Sequence, residues 1–357
     1  MPLIIDKLLR ALLTLYILNH FSKELNNDFY SDFIYDTFIL SIIVVTCNLS
    51  YRSFVLLGNK PVKKDQFFIY FIYTIGIIIL VTLKNQWWFA IFFLPLSKLS
   101  YYVEKDYVKQ YFSLNYIFLI IAAFLTLYSS KFYFLLVIPS IFPSLIFVLN
   151  RHRQIWKNYK PHNLTNFATP LIVNTILIVT YTKIDVFFIE YFIKNTEFKA
   201  SYFNSVKLVD YAIMLPVVFI SYSFRDWSSG IVKVYNDYRM ILIFSLIGTL
   251  IAITSTSFIQ EILPIDKMAY VSYCLVLPFI VLNTIRNQVY LLNNENWKIT
   301  HFSVLALLLN IILSYSLYHL NTSNYDFLYA TITTQFVLAI FSFGTIKRNK
   351  SLIIHKK

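Results

Sequence analysis

Apolar stretches of about twenty residues, the length a helix needs to cross a bilayer, recur along the whole sequence with no polar block between them. Of the 357 residues, 58% are hydrophobic and only 14% are charged. A soluble domain carries about 25% charged residues, so this chain lacks the polar material to cover a water-facing surface. Hydrocarbon is the solvent it suits. In lipid every backbone amide must find a partner within the protein, which leaves helices or a closed barrel. The apolar runs are continuous rather than alternating, so an all-α polytopic membrane protein is expected.

Spans are expected to begin near Leu3, Tyr35, Phe67, Gln86, Tyr111, Phe132, Leu164, Asn204, Arg239, Ala269, Ile299 and Asp326. That makes about twelve transmembrane helices of roughly 20 residues, joined by short loops. The first apolar run follows Asp6, Lys7 and Arg10 and has no small-x-small cleavage site after it, so it reads as a retained helix. Cys47 and Cys274 both sit inside apolar runs without a CxxC pattern, as inert buried thiols do.

Charge tests the count, because cytoplasmic connections should be the basic ones. The first connection sets Lys23 against Glu24, Asp28 and Asp32, whereas the second carries Arg52, Lys60, Lys63 and Lys64. Lys84 stands alone in the third; Lys98, Lys105 and Lys109 fill the fourth. The fifth has Lys131 and the sixth Arg151, Arg153, Lys157 and Lys160. Arg225, Lys233 and Arg239 mark the eighth, and Arg286 and Lys298 flank the tenth. With Lys7, Arg10 and the basic tail, most of the 31 Lys and Arg residues fall on one side. Both termini are therefore expected inside. The net charge of +13 then faces anionic headgroups, and nucleic acid is not needed as a partner.

The most basic connection lies near the middle and divides the chain into two six-helix halves around a central cavity. Residues 1–150 form the first half and 151–163 the cytoplasmic connector; residues 164–346 form the second half and 347–357 the tail. The second span ends NLSYRSF and the eighth ISYSFRDW; the fourth carries Pro95 and the tenth Pro278. Matching interruptions suit a transporter built from repeats, although chance is the competing explanation in so aromatic a sequence. Six prolines fall within spans, at 95, 139, 143, 170, 216 and 278, and each bends a helix.

Charges inside the membrane are expensive and tend to line cavities or pair. The seventh span holds Lys183, Asp185 and Glu190, the eighth Lys207 and Asp210, and the tenth Arg286. Snorkelling to the outer interface is the alternative for Lys183. Lys207 and Asp210, three apart on one helix face, are placed to pair with each other. Asp6, Lys7 and Arg10 lie near the inner interface, where charge is cheap. No catalytic constellation stands out. The six histidines lack metal-ligand spacing and there is no Gly-rich phosphate loop, so no metal, cofactor or ATP hydrolysis is expected.

The stretch PLIVNTILIVTYTKIDVFFIEYF (Pro170 to Phe192), with ASYFNSVKLVDYAIMLPVVFISYSF (Ala200 to Phe224), resembles the Wzx-type O-antigen flippases of the multidrug/oligosaccharidyl-lipid/polysaccharide exporter superfamily. Tyr181, Lys183, Ile184 and Asp185 match that family's Tyr-x-basic-Ile-Asp run; Tyr202, Ser205, Lys207 and Leu208 match the segment opening its next helix. The family's usual glycines before the second tyrosine and in the first outer loop are absent, replaced by Lys199-Ala200-Ser201 and Phe29-Tyr30-Ser31-Asp32. The resemblance implies a flippase for undecaprenyl-diphosphate-linked oligosaccharides in a bacterial inner membrane. Its partners would be that glycolipid, membrane lipids and other polysaccharide-assembly membrane proteins. A diphosphate headgroup would meet Lys183, Lys207, Arg10 and Arg286, and sugars would stack on Tyr181 and Tyr202. Asp185 is the first candidate for ion coupling and Glu190 the second.

Three rivals remain. A polysaccharide polymerase handles the same lipid-linked glycans but needs a large outer loop. A membrane O-acyltransferase is suggested by Arg10 and the helix-end His20, one residue closer than that family's usual spacing. A multidrug antiporter of the same superfamily is the third.

Overall fold

The computed structural model describes residues 162–348, apart from 229–233, 294 and 322, together with parts of residues 15–38. The chain divides into two compact units, Met1–Phe38 with Leu177–Lys357, and Ile39–Ile176. Among the described residues all regular structure is helical. The helices are α1 (His162–Phe192), α2 (Thr196–Ser228), α3 (Val234–Thr254), α4 (Thr256–Ile262), α5 (Lys267–Leu292), α6 (Asn296–Asn321) and α7 (Asp326–Arg348). Four are long and apolar enough to cross a bilayer, over Asp237–Thr254, Lys267–Leu292, Asn296–Leu320 and Asp326–Ile346. The described part of the first unit is thus all-helical and suited to a membrane. The expectations for the first six spans, and Arg10 with them, lie outside the described residues.

The starts of the long helices lie close to the expected positions except for α2, which begins at Thr196 rather than near Asn204. The reason is local. Asn195 Oδ1 accepts the Phe198 amide at 3.0 Å, a cap that starts the helix in polar sequence ahead of the apolar run. The short α4 was not expected either. It follows a Thr254-Ser255-Thr256-Ser257 run whose first three hydroxyls bond back to the carbonyls of Leu250, Ala252 and Ile253, competing with the helical ladder.

α5 is the centre of the bundle and packs on α2, α3 and α7. Its apolar window is 61% buried, against 28% for α3 and α6. Those outer helices turn large apolar side chains outwards, among them Leu250 and Ile251 on α3, Leu305 and Ile312 on α6, and Ile340 on α7. In water such a surface would be an association hazard. In lipid it is the correct exterior, and the polar groups go inside.

Inside, side-chain amides and hydroxyls join the helices, as is usual where lipid competes for apolar contact. Thr249 donates to the Cys274 carbonyl at 3.1 Å, tying α3 to α5. Asn310 on α6 donates to the Tyr181 carbonyl of α1 at 3.1 Å and to Thr331 of α7 at 3.0 Å. Asn283 donates to Gln335 Oε1 at 2.9 Å and accepts from Ser342 at 2.7 Å, and Tyr290 meets Thr345 at 3.0 Å. These pairs advance together along α5 and α7, so the two helices run parallel, with antiparallel α6 joining them.

The turns after α1, α4 and α6 gather at one end. Asp266 caps α5 by accepting the Ala269 amide at 2.7 Å, accepts the Tyr325 hydroxyl at 2.8 Å, and donates its own amide to the Ser201 carbonyl at 3.1 Å. Phe192, Tyr318 and Phe327 pack ring on ring nearby. Asn204, fully buried on α2, accepts from Tyr30 at 2.7 Å and donates to the Pro264 carbonyl at 2.7 Å, fixing the N-terminal segment against this end.

Candidate functional site

Asp185 and Lys183 are two residues apart on α1, which separates their side-chain directions by about 200°. Both nevertheless engage α2. Asp185 is fully buried and its Oδ2 accepts two hydroxyls, from Tyr202 of α2 and Tyr273 of α5. Its Oδ1 is buried without a hydrogen-bond partner. Lys183 reaches round on its four-carbon stem to form an ion pair with Asp210 of α2. Its ammonium also lies 5.8 Å from the Tyr273 ring centroid and 5.6 Å from that of Phe38. Lys207 approaches the same Phe38 ring at 4.9 Å.

Two ammonium groups, two carboxylates, two phenols and one phenyl ring therefore share a small volume between α1, α2, α5 and residue 38. With both carboxylates ionised the group is neutral; a proton on Asp185 leaves it one charge positive. Depth follows from helix rise. Asp185, Tyr202 and Tyr273 lie six or seven residues from one end of their helices, about 10 Å in, and Asp210 lies about 20 Å in. The lysines thus lie about 14 and 17 Å from one end of their helices, inside the bundle. A charge there must be compensated, and the two lysines share Asp210 and the π face of Phe38.

Several expectations change at this point. Lys183 turns to Asp210 of α2 and pairs with it. Asp210 makes that cross-helix ion pair and also acts electrostatically on Lys207, one turn away on its own helix. Glu190 stands apart from the group near the end of α1, paired with Lys199 at 3.3 Å, with the Lys199 ammonium also 2.9 Å from the Glu190 carbonyl. Tyr202 is buried with its hydroxyl on Asp185, so it offers no open face to a sugar in this conformation.

Tyr181 and Arg286 belong to a second group. Arg286, on α5, is 1% exposed and places its guanidinium 4.7 Å from the Phe302 ring centroid. Its Nε and Nη2 donate to Asn287 Oδ1 at 3.2 and 3.0 Å, and Nη1 reaches the Leu338 carbonyl at 3.5 Å. Tyr181 packs with Ala306 and Leu338 and lies within electrostatic reach of Arg286. The contacts of Arg286 are with α6 and α7, so it is not gathered with the two lysines.

Two participants, and the partner of a third, escaped the sequence reading. Tyr273 and Phe38 lie in apolar runs crowded with aromatics, where no spacing distinguishes them. Asp210 was noticed, but its partner is 27 residues away and on another helix. Among the described residues no three His, Cys, Asp or Glu side chains are grouped to hold a metal. Comparisons of the chain with protein-family models, curated proteins and solved structures find no match.

Proposed function

We propose that the protein is a transporter that moves an anionic lipid-linked glycan across a bacterial cytoplasmic membrane. In this reading about twelve spans form two six-helix halves around a central cavity, with both termini inside. The substrate class is an undecaprenyl-diphosphate-linked oligosaccharide, delivered from the inner to the outer leaflet by alternating access. The observation that carries the reading is the pair of lysines inside the bundle, Lys183 and Lys207, beside a carboxylate that two tyrosine hydroxyls hold in place.

The chemistry supports the assignment in two ways. A diphosphate loses its hydration on entering the membrane, and ammonium groups already desolvated and positioned offset part of that cost. Taking a proton on Asp185 would tip a neutral group towards positive charge, and releasing it would tip the group back. Asp185 is therefore the residue through which an ion gradient would act on anion affinity. Glu190, engaged with Lys199 at the helix end, is the weaker candidate.

The test is the leaflet occupied by lipid-linked glycans in cells lacking the protein. Complete single repeat units trapped on the inner leaflet are expected. Units that reach the outer face unpolymerised would point to a polymerase instead, and units lacking only an acyl group would point to an O-acyltransferase. In the same assay Lys183→Ala is expected to lower export at least about tenfold, the effect of one lost charge-assisted contact. His20→Ala should leave export intact, whereas an acyltransferase would be abolished.

A further inference from the structure

Arg286 presents a problem that its hydrogen bonds do not solve. A guanidinium 1% exposed inside a lipid-embedded bundle carries a full positive charge, and among the described residues no carboxylate pairs with it. Its acceptors are neutral: an amide oxygen on the neighbouring residue and one carbonyl at the long distance of 3.5 Å. The Phe302 ring adds a cation–π contact, which offsets only part of a buried charge. The helix dipole adds little, because Arg286 lies six residues from the end of α5 and the effect fades within the last turn.

The surroundings hold donors rather than acceptors in reserve. Gln335 on α7 is 1% exposed; its Oε1 is taken by Asn283, and its Nε2 has no partner. It lies one turn from Leu338, whose carbonyl faces Arg286. Ser303 on α6 is also 1% exposed, adjoins Phe302, and its hydroxyl has no partner. A buried cation with no carboxylate partner among the described residues, and two unused buried donors on the helices it touches, make up the donor set of an anion site.

We propose that Arg286 binds a single-atom inorganic anion between α5, α6 and α7, with the Gln335 amide and the Ser303 hydroxyl available to complete its shell. A guanidinium 1% exposed has no open approach for a glycolipid diphosphate, so a single-atom ion is the class that fits. Chloride is the abundant ion of that class. Its role is structural: it neutralises Arg286 and locks α6 and α7 onto α5. This site is independent of the lysine group and of the transport reading.

The experiment is thermal unfolding of the full chain in detergent, in sodium chloride, sodium bromide, sodium phosphate and sodium gluconate at matched ionic strength. A higher midpoint in chloride and bromide than in gluconate is expected, rising with halide concentration as linkage requires. Arg286→Gln should remove that dependence. Should that variant fail to fold, Gln335→Leu and Ser303→Ala keep the arginine, and either one should raise the half-saturating halide concentration by about tenfold. Equal midpoints in halide and gluconate would overturn the proposal. So would stabilisation by phosphate alone, halide dependence that survives in Arg286→Gln, or unchanged half-saturation in both donor variants.

Discussion

The lysine group and the Arg286 group bury charge in one helical bundle by opposite means. Around Lys183 and Lys207, cations face carboxylates, and the sum of charge depends on whether Asp185 carries a proton. Around Arg286 the described residues offer amides, hydroxyls, a carbonyl and a ring but no carboxylate, and a guanidinium does not titrate in the accessible range. One group can change its charge and the other cannot. The difference separates a site fit for a cycle of binding and release from one fit for a permanent structural role.

The largest expected effect comes from removing compensation on the lysine side. Asp210→Leu strands two ammonium groups inside the bundle and should cost about 3 kcal/mol in unfolding free energy measured in detergent. This is the low end of the usual range because the Asp210 side chain is 26% exposed. A second change, Lys183→Met, should recover most of that loss; no recovery would mean the ion pair is not what makes Asp210 matter. Next is Tyr273→Phe, which removes one hydroxyl from Asp185 and should cost about 2 kcal/mol. Because Tyr202 and Tyr273 share Oδ2, a double-mutant cycle between them should be non-additive, and strict additivity would break the picture of one shared acceptor.

On the Arg286 side the neutral network should respond more mildly. Asn283→Leu deletes the bonds to Gln335 and Ser342 at a cost of about 1 kcal/mol, as interhelical hydrogen bonds in membranes generally do. A loss comparable to that of Asp210→Leu would erase the distinction between the groups. Smallest of all, Lys199→Ala should stay within about 1 kcal/mol in the same assay, because Glu190 lies in the last turn of α1, where water can replace the lost partner.

Outside both groups, Tyr325 lies in the turn before α7. Burial first, and then its bond to Asp266, push its hydroxyl up to about 12. A raised value places the stabilising effect fully below the ordinary tyrosine value of about 10, and it is lost as pH climbs through the folded-state value. Tyr325→Phe should therefore flatten the alkaline limb of a stability–pH profile between those values.

Much of this was legible in the sequence. Continuous apolar runs, few charges and regularly spaced basic connections point to a helical membrane protein, because hydrocarbon admits so few alternatives. The same rarity of charge singled out Lys183, Asp185, Lys207 and Arg286 for attention. What the one-dimensional pattern lacks is direction. Lys183 and Lys207 meet across two helices at Phe38, while Arg286 turns away towards α6 and α7.

By itself, then, the sequence determined which solvent the chain must meet and which residues would be costly in it. Those are properties of composition and of single-helix periodicity. Only the tertiary structure decided that Asp210 serves Lys183, that Tyr202 and Tyr273 hold Asp185, and that Arg286 turns to Phe302 and the Leu338 carbonyl. Such choices depend on helix rotation and on the reach of individual side chains, which are set when helices pack and not by spacing along any one of them.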